Sequence, residues 1–434
     1  MEILSLGVKI KRRRKDLNMT LKDLAGVRIT PGQISLVESG KSNPSMDLLE
    51  YLASRLNVSI EYIMESEESQ AEKICVYYEN ISEACILNNE LIQVEQYIEK
   101  SLFYAEKYNL EYRKAKNLYL RGLVFIEKKE LGPAQQLFLS ANVIFIKGGH
   151  YEDIINTSLK LGIITLDMKA YNSSSSYFQQ AEKVYIENDT GNDFLLGEIY
   201  YYIAITFLKL DELEKAINYS FLAKKKFEQV NEKKEYAKTL LLIAKEYNVK
   251  GDLDKAIKYS KLTLNIFREL KELDYVSEIE NSLGKLFYDF GNVEESFVHL
   301  NIAKEIRLKN KDSKLTETLI RVCENFIKLK DIDMAKKTLE EILDQIHRGN
   351  NQSLLDYYLV KFKVDMLQQN RKDAETTLIT ALNYTKAINS SKDEAEVSIM
   401  LGKFYIDSGD DSEAAKYLNS GVELFRELKI LVEL

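Results

Sequence analysis

The sequence predicts an all-α protein: a small N-terminal helical bundle followed by a right-handed superhelical solenoid of about nine two-helix repeats. Three observations carry this expectation. Only 3 prolines and 18 glycines punctuate 434 residues, so nearly continuous helices joined by short turns are expected. A succession of helix start signals occupies residues 1–66, and the remainder repeats itself with a period of about 40 residues. A chain of this length also exceeds one compact core, which favours several domains or an extended array.

The bundle comes first. Ile3, Leu6, Ile10 and Leu17 share one apolar helix face. Thr20 caps a second helix, with Asp23 complementing its N-terminal dipole and Leu21 and Leu24 on its buried side. A bend follows at Gly26. Thr30-Pro31 starts the third helix, a capping hydroxyl with proline at the first helical position, and this helix ends at Gly40. Asn43-Pro44 opens a fourth by the same device, with Met46, Leu49, Leu52, Ala53 and Leu56 as its buried stripe. Two short helices joined by a tight turn make a helix-turn-helix, whose second helix enters the DNA major groove. Ile34 and Val37 should then face the core, and Thr30, Gly32, Gln33, Ser35 and Leu36 the DNA. Gln33 can read adenine through two hydrogen bonds, Leu36 can touch a thymine methyl, and Gly32 permits close backbone approach.

Charge supports this assignment. The net charge is −8, yet residues 1–66 hold 10 Lys/Arg against 8 Asp/Glu, and six of the seven residues from Lys9 to Lys15 are basic. Beside a helix-turn-helix, such a run reads as a phosphate-binding patch.

From Leu6 to about Met64 the chain resembles the Cro/repressor (XRE) family. The resemblance rests on ITPGQISLVESGKSNPSMDLLEYLASRLNVSIEYI, in particular Ile34, Ser35, Glu38, Gly40, Lys41, Pro44, Ser45, Leu49, Leu52, Ala53 and Leu56. It implies that Arg14 of the first helix pairs with Glu38 of the recognition helix and is structural. Lys11, Arg12, Arg13 and Lys41 are left for phosphates, with Thr20 completing the DNA-contacting set. Leu21 departs from the family, which usually carries a backbone-contacting glutamine there.

The second region, 67–434, has its own regularity. A small residue recurs in the first helix of each repeat, another twelve later and a third seven beyond that. Gly122, Ala134 and Ala141 fit, as do Gly162, Ser174 and Ala181; Ala204, Ala216 and Ala223; and Gly402, Ala414 and Gly421. First-helix positions fall at 82, 122, 162, 204, 244, 284, 323, 362 and 402, spaced by 39 to 42 residues. Gly251-Asp252, Gly291-Asn292 and Gly409-Asp410 mark turns within repeats. The pattern resembles the tetratricopeptide repeat with a lengthened period, which implies a solenoid whose first helices line a concave surface. Along that surface the sequence reads apolar at Leu159, Ile163, Leu166, Ile205 and Leu208, then more basic and amide-bearing from Lys245 onward. Tyr201, Lys245, Asn248, Asn281, Lys285 and Tyr288 are the candidate peptide-binding residues: amides can clasp a peptide backbone and lysines its carboxylates.

Other chemistries find no footing. Cys75, Cys85 and Cys323 have no metal-ligand spacing and are read as buried, reduced thiols of a cytoplasmic protein. His150, His299 and His347 fall in different repeats and are read as surface or turn residues. No catalytic group, metal, cofactor, membrane span or secretion signal is expected.

The whole arrangement resembles the Rap/NprR/PlcR (RRNPP) quorum-sensing regulators, with NprR-like members nearest in layout. The resemblance implies a homodimer that binds a double-stranded DNA operator through its heads and a short signalling peptide in its concave groove. The alternative within the same resemblance is a protein-interaction regulator whose repeats sequester a response regulator or kinase.

Overall fold

A computed structural model describes residues 2–188, 190–347 and 353–428, and over them the chain is all-α, with 23 helices. It divides into two compact units, Met1–Ala216 and Ile217–Leu434.

The first unit begins with a five-helix head: α1 (Leu6–Asp16), α2 (Leu21–Ala25), α3 (Pro31–Glu38), α4 (Met46–Leu56) and α5 (Ile60–Met64). Thr20 and Thr30 each close a reciprocal capping box, with Asp23 and Gln33 as the returning partners. The cap of α4 is Ser45, whose Oγ accepts from the Leu48 N–H, so Asn43-Pro44 lies outside the helix rather than opening it. Ile10, Leu24, Ile34, Leu52 and Leu56 are fully buried in one cluster that draws on every helix of the head. Each such side chain contributes about 1.5–3 kcal/mol relative to exposure. Three expected core positions fall outside it: Ile3 precedes α1, and Leu17 and Met46 are exposed at helix ends. Gly7 lets α1 approach α3, because a Cβ there would stand 2.4 Å from the Val37 carbonyl oxygen.

The repeats follow as antiparallel pairs. In the first unit these are α6 (Glu67–Leu87) with α7 (Leu91–Lys107), α8 (Glu111–Glu127) with α9 (Leu131–Gly148), and α10 (Tyr151–Asp167) with α11 (Tyr171–Asn188); α12 (Asp193–Lys209) packs on α11. The unit boundary falls within α13 (Leu213–Gln229). In the second unit α14 (Lys233–Lys250) pairs with α15 (Leu253–Glu269), α16 (Leu273–Asp289) with α17 (Val293–Asn310), and α18 (Leu315–Lys328) with α19 (Ile332–His347). The pairs α20 (Leu354–Leu367) with α21 (Arg371–Ala387) and α22 (Ser391–Ser408) with α23 (Asp411–Glu427) complete it.

The small residues act as the spacing predicts. A Cβ on Gly162 would meet the Phe178 ring at 2.4 Å, and one on Gly284 or Gly402 would meet Leu300 or Leu418 at 2.5 Å. Ser174 and Ser296 add a bond across the same crossing, donating to the carbonyls of Gly162 and Gly284 at 2.9 and 2.7 Å. The turn inside each pair is equally regular. One residue with positive φ stands there in all nine repeats: Asn89, Lys129, Lys169, Asp211, Gly251, Gly291, Lys330, Gln369 and Gly409. Glycine occupies three of these, so six repeats accept the left-handed conformation at a cost of about 1–2 kcal/mol for the lysines and glutamine, less for Asn89 and Asp211.

Cys75, Cys85 and Cys323 are buried and unbridged, and burial raises the Cys323 thiol to about 12. The histidines divide. His150 precedes α10, half-buried, with its ring centroid 4.2 Å from that of Tyr112. His299 is buried, against expectation: its Nδ1 lies 2.6 Å from a Glu280 carboxylate oxygen and its ring stacks on Phe287. The His347 side chain lies outside the described residues.

Candidate nucleic-acid interface and ligand groove

The recognition helix is presented as its sequence pattern requires. Ile34 and Val37 are buried, while Thr30, Gly32, Gln33, Ser35 and Leu36 are exposed on the other side of α3. Gln33 is also structurally engaged, since its Oε1 accepts from the Thr30 N–H at 3.0 Å in the capping box. Space around Gly32 is open, with nothing nearer to a Cβ than the Thr30 hydroxyl at 3.9 Å. Thr20 and Lys41 are exposed at the starts of α2 and of the segment after α3.

Arg14 locks the two helices together. Its Nε and Nη2 donate to the two Glu38 carboxylate oxygens at 2.6 and 2.9 Å, and Nη1 donates to the Met19 carbonyl at 2.8 Å. The bidentate pair is nearly closed to solvent, and the hydrogen bond donated to Glu38 raises the already high guanidinium pKa against the opposing effect of burial.

The basic run does not form one patch. Successive residues on a helix step by about 100°, so six cations in seven positions are dealt in every direction. Lys9 points inward and is buried, donating to the carbonyls of Tyr62 and Glu65 at 2.9 and 2.7 Å. Burial lowers its pKa, against the pull of Glu65. Arg13 turns to the end of α4, its Nε donating to the Leu56 carbonyl at 3.1 Å. Arg12 lies roughly 160° around α1 from Arg14, away from α3, and its guanidinium pairs with Glu2 at 3.2 Å. Lys11 stays exposed on the flank nearer α3. Of the four expected phosphate contacts, Lys11, Arg12 and Lys41 are exposed, and Arg13 is half-buried and engaged with the Leu56 carbonyl.

Two contacts absent from the sequence reading tie the head to the first repeat. Gln70 of α6 accepts from the Leu4 N–H at 3.0 Å and donates to the Leu4 carbonyl at 2.9 Å. Glu65 accepts from Lys73 of α6 at 2.7 Å while pairing with Lys9 at 3.6 Å. A lone glutamine in a helix gives no sequence signal for such a clasp.

The candidate peptide residues separate. Tyr201 is half-buried on α12 in the first unit, edge-to-face with Tyr202. The other five lie in the second unit. Lys245 and Asn248 are exposed on α14, with Lys245 paired to Glu278 at 3.2 Å. Asn281 is buried rather than free: its Nδ2 donates to Glu317 Oε1 at 3.0 Å, and its Oδ1 has no hydrogen-bond partner among the described residues. Lys285 and Tyr288 line a cavity of about 440 Å³ between α16, α18 and the start of α20.

That cavity holds more carboxylates than the sequence pattern suggested. Asp289, Glu317, Glu324 and Asp356 line it against two cations, Lys285 and Arg321, with Ser296, Leu300, Ile320 and Asn325 among the uncharged walls. The Asp356 carboxyl is pushed above its ordinary range by burial, and Asp393, Glu324 and Glu317 push it further. Glu324 is paired with Lys363 and Glu317 with Arg321, each at 2.8 Å, which leaves Asp289 and Asp356 as the lining carboxylates without an ion pair among the described residues. Among the described residues no group of three or more His, Cys, Asp or Glu is arranged to hold a metal ion, and no helix is long and apolar enough to cross a membrane.

Residues 10–63 match the helix-turn-helix family. No curated protein sequence matches the chain. By structure it is similar to the apo form of RapI, with a TM-score of 0.64 at 16% identity over 82% of this chain and 98% of the other. It is likewise similar to the apo form of the quorum sensor NprR from B. thuringiensis, with a TM-score of 0.62 at 17% identity over 83% and 100%. A STAND protein with a tetratricopeptide repeat sensor, from Pyrococcus horikoshii, aligns with 99% of this chain and 67% of its own at a TM-score of 0.57 and 15% identity. The chain thus joins an XRE-type helix-turn-helix to a tetratricopeptide solenoid with the fold of Rap and NprR.

Proposed function

We propose that this chain is a cytoplasmic, dimeric transcription regulator of the quorum-sensing type, binding operator DNA through α3 and a short signalling peptide in its repeat groove. The observation that carries the reading is a chain with an exposed recognition helix at one end and an open, densely charged cavity on its repeats. The fold shared with a protein described as a quorum sensor supports the same assignment. Cavities of about 300–1,000 Å³ suit a small ligand or a few peptide residues. Asp289 and Asp356, the wall's carboxylates without an ion pair among the described residues, call for a ligand with a cationic group at that point, a lysine, an arginine or an amino terminus.

Switching requires differential affinity. A peptide that bound every arrangement of the protein equally well would shift nothing, so it must favour one disposition of the heads over another. The test is thermal unfolding with short peptides encoded near the gene. A cationic peptide of this set is expected to raise the melting temperature and change operator affinity, and both responses are expected to fade in Asp356→Asn. No response to any peptide, together with a stable complex with a folded partner protein, assigns the groove to protein docking instead.

A further inference from the structure

We propose that the outer face of α9 is the surface on which two copies of this chain associate. The argument uses the repeats as their own control. The second helix of each repeat places three residues on its outer face, five, nine and twelve positions past its small residue. In α9, counted from Ala134, these are Leu139, Val143 and Ile146, with 40%, 68% and 52% of their surface exposed. The same positions read Glu99, Phe103 and Glu106 in α7, and Lys261, Asn265 and Arg268 in α15. Every other second helix carries at least two charged, amide or imidazole residues in this triad, and α9 carries none. Solvation alone accounts for the other eight and fails for this one.

The neighbours extend the surface. Phe103 stands at the register of Val143 one repeat earlier and Ile186 at that of Ile146 one repeat later, and both are about as exposed as Val143. Lys147 is the sole charged residue of α9, and Tyr171–Ala181 of α11 has none. The five apolar side chains expose about 500 Å², at the upper end for a soluble monomer. A two-fold pairing of these five side chains alone removes about 1,000 Å² in all, the lower bound that a specific interface has to clear.

A second copy is the occupant that fits. A face without charges offers nothing for an unlike partner to complement, whereas an isologous contact sets the same patch against itself. The head lies in the same compact unit as α9, so this contact places two recognition helices in one assembly, as helix-turn-helix dimers require. The inference rests on the dimeric part of the function proposed above and not on peptide binding.

The experiment measures the mass of the full-length chain in solution at micromolar concentration, without peptide or DNA. The wild type is expected to be a dimer, and Val143→Glu to weaken association about 100-fold or more with helicity and melting temperature unchanged. A second arm is independent of that variant's folding. The three native cysteines are buried, so Ser140→Cys, exposed beside Leu139, supplies the accessible thiol. Mild oxidation is expected to give a covalent dimer with Ser140→Cys and none with Asn265→Cys on α15. A monomeric wild type, an unimpaired Val143→Glu dimer, or equal cross-linking by the two cysteine variants overturns the proposal. A patch that serves another protein gives the first or the second of these results. Peptide-induced stabilisation is read separately, so failure here and failure of the receptor reading remain distinguishable.

Discussion

The head and the repeats bury short amphipathic helices in different ways. In the head all five helices send side chains into one cluster, from Ile10 through Ile34 to Ile63. In the repeats burial is serial: one cluster joins α6, α7 and α8, another α14, α15 and α16, each built from neighbours. Buried charge differs in the same sense. The head uses a bidentate ion pair, Arg14 with Glu38, to tie its first helix to its recognition helix. On α14 the carboxylate of Glu246 is wholly buried and has one hydrogen bond, from the Ser220 hydroxyl at 2.6 Å. A single-core domain concentrates its vulnerability, and an array distributes it.

Arg14→Ala is the sharpest way to break that contrast. It strands Glu38 in the core without a cation, which costs about 3–5 kcal/mol, a large share of what a small domain possesses. Hydrogen exchange is expected to show lost protection across residues 6–64, while the repeats beyond α6 keep theirs. Operator binding falls with it. Adding Glu38→Gln is expected to recover part of the stability by removing the stranded charge. Uniform loss along the chain would show that head and repeats unfold as one.

One repeat carries a carboxylate whose burial ties stability to pH. Burial pushes the Glu246 carboxyl up to about 7, opposed by the bond from Ser220. The folded chain therefore holds this proton more tightly than the unfolded one, where the group sits near its ordinary value of 4.5. Its favourable contribution is complete below about pH 4.5, declines as pH rises and is lost above about pH 7, a change of about 3 kcal/mol. Glu246→Gln is expected to abolish this dependence and to protect α14 more than the wild type at pH 8, as read by exchange rates at pH 5 and 8. Parallel pH curves for the two proteins would show that the carboxylate is already solvated or paired.

How much was legible follows the same division. Caps at Thr20 and Thr30 and the Arg14–Glu38 pair stand in the sequence because each is a local or family-specific pattern. The repeat period stands there because small residues are required wherever helices cross, as at Gly162 over Phe178. The basic run reads as one patch in sequence because a count of charges ignores the turn of the helix, which sends Lys9 and Arg13 to backbone carbonyls of the head. The groove misled for a related reason. Three positions per first helix caught Lys285 and Tyr288 but not Glu317, Glu324 and Asp356, which the fold brings from the next two repeats. Asn281 looks like a surface amide until Glu317, 36 residues on, is found to hold it. Lysine or glutamine at a left-handed turn, as at Lys129 or Gln369, leaves no signal because neither residue favours that conformation.

The smallest expected effect concerns Gln33, where the head's structure and its reading of DNA share one side chain. Its Oε1 serves the Thr30 cap, whereas bidentate reading of adenine uses both the oxygen and the Nε2 donor. Gln33→Ala removes both roles, so a general loss of binding would say little. Gln33→Glu separates them, because a carboxylate still closes the capping box but cannot donate to a base. Charge repulsion then weakens cognate and random DNA alike, and the informative quantity is the ratio between them. That ratio is expected to fall by about 1–3 kcal/mol if Gln33 reads a base. An unchanged ratio would assign Gln33 to the cap alone and leave sequence reading to Ser35, Leu36 and the shape of the DNA.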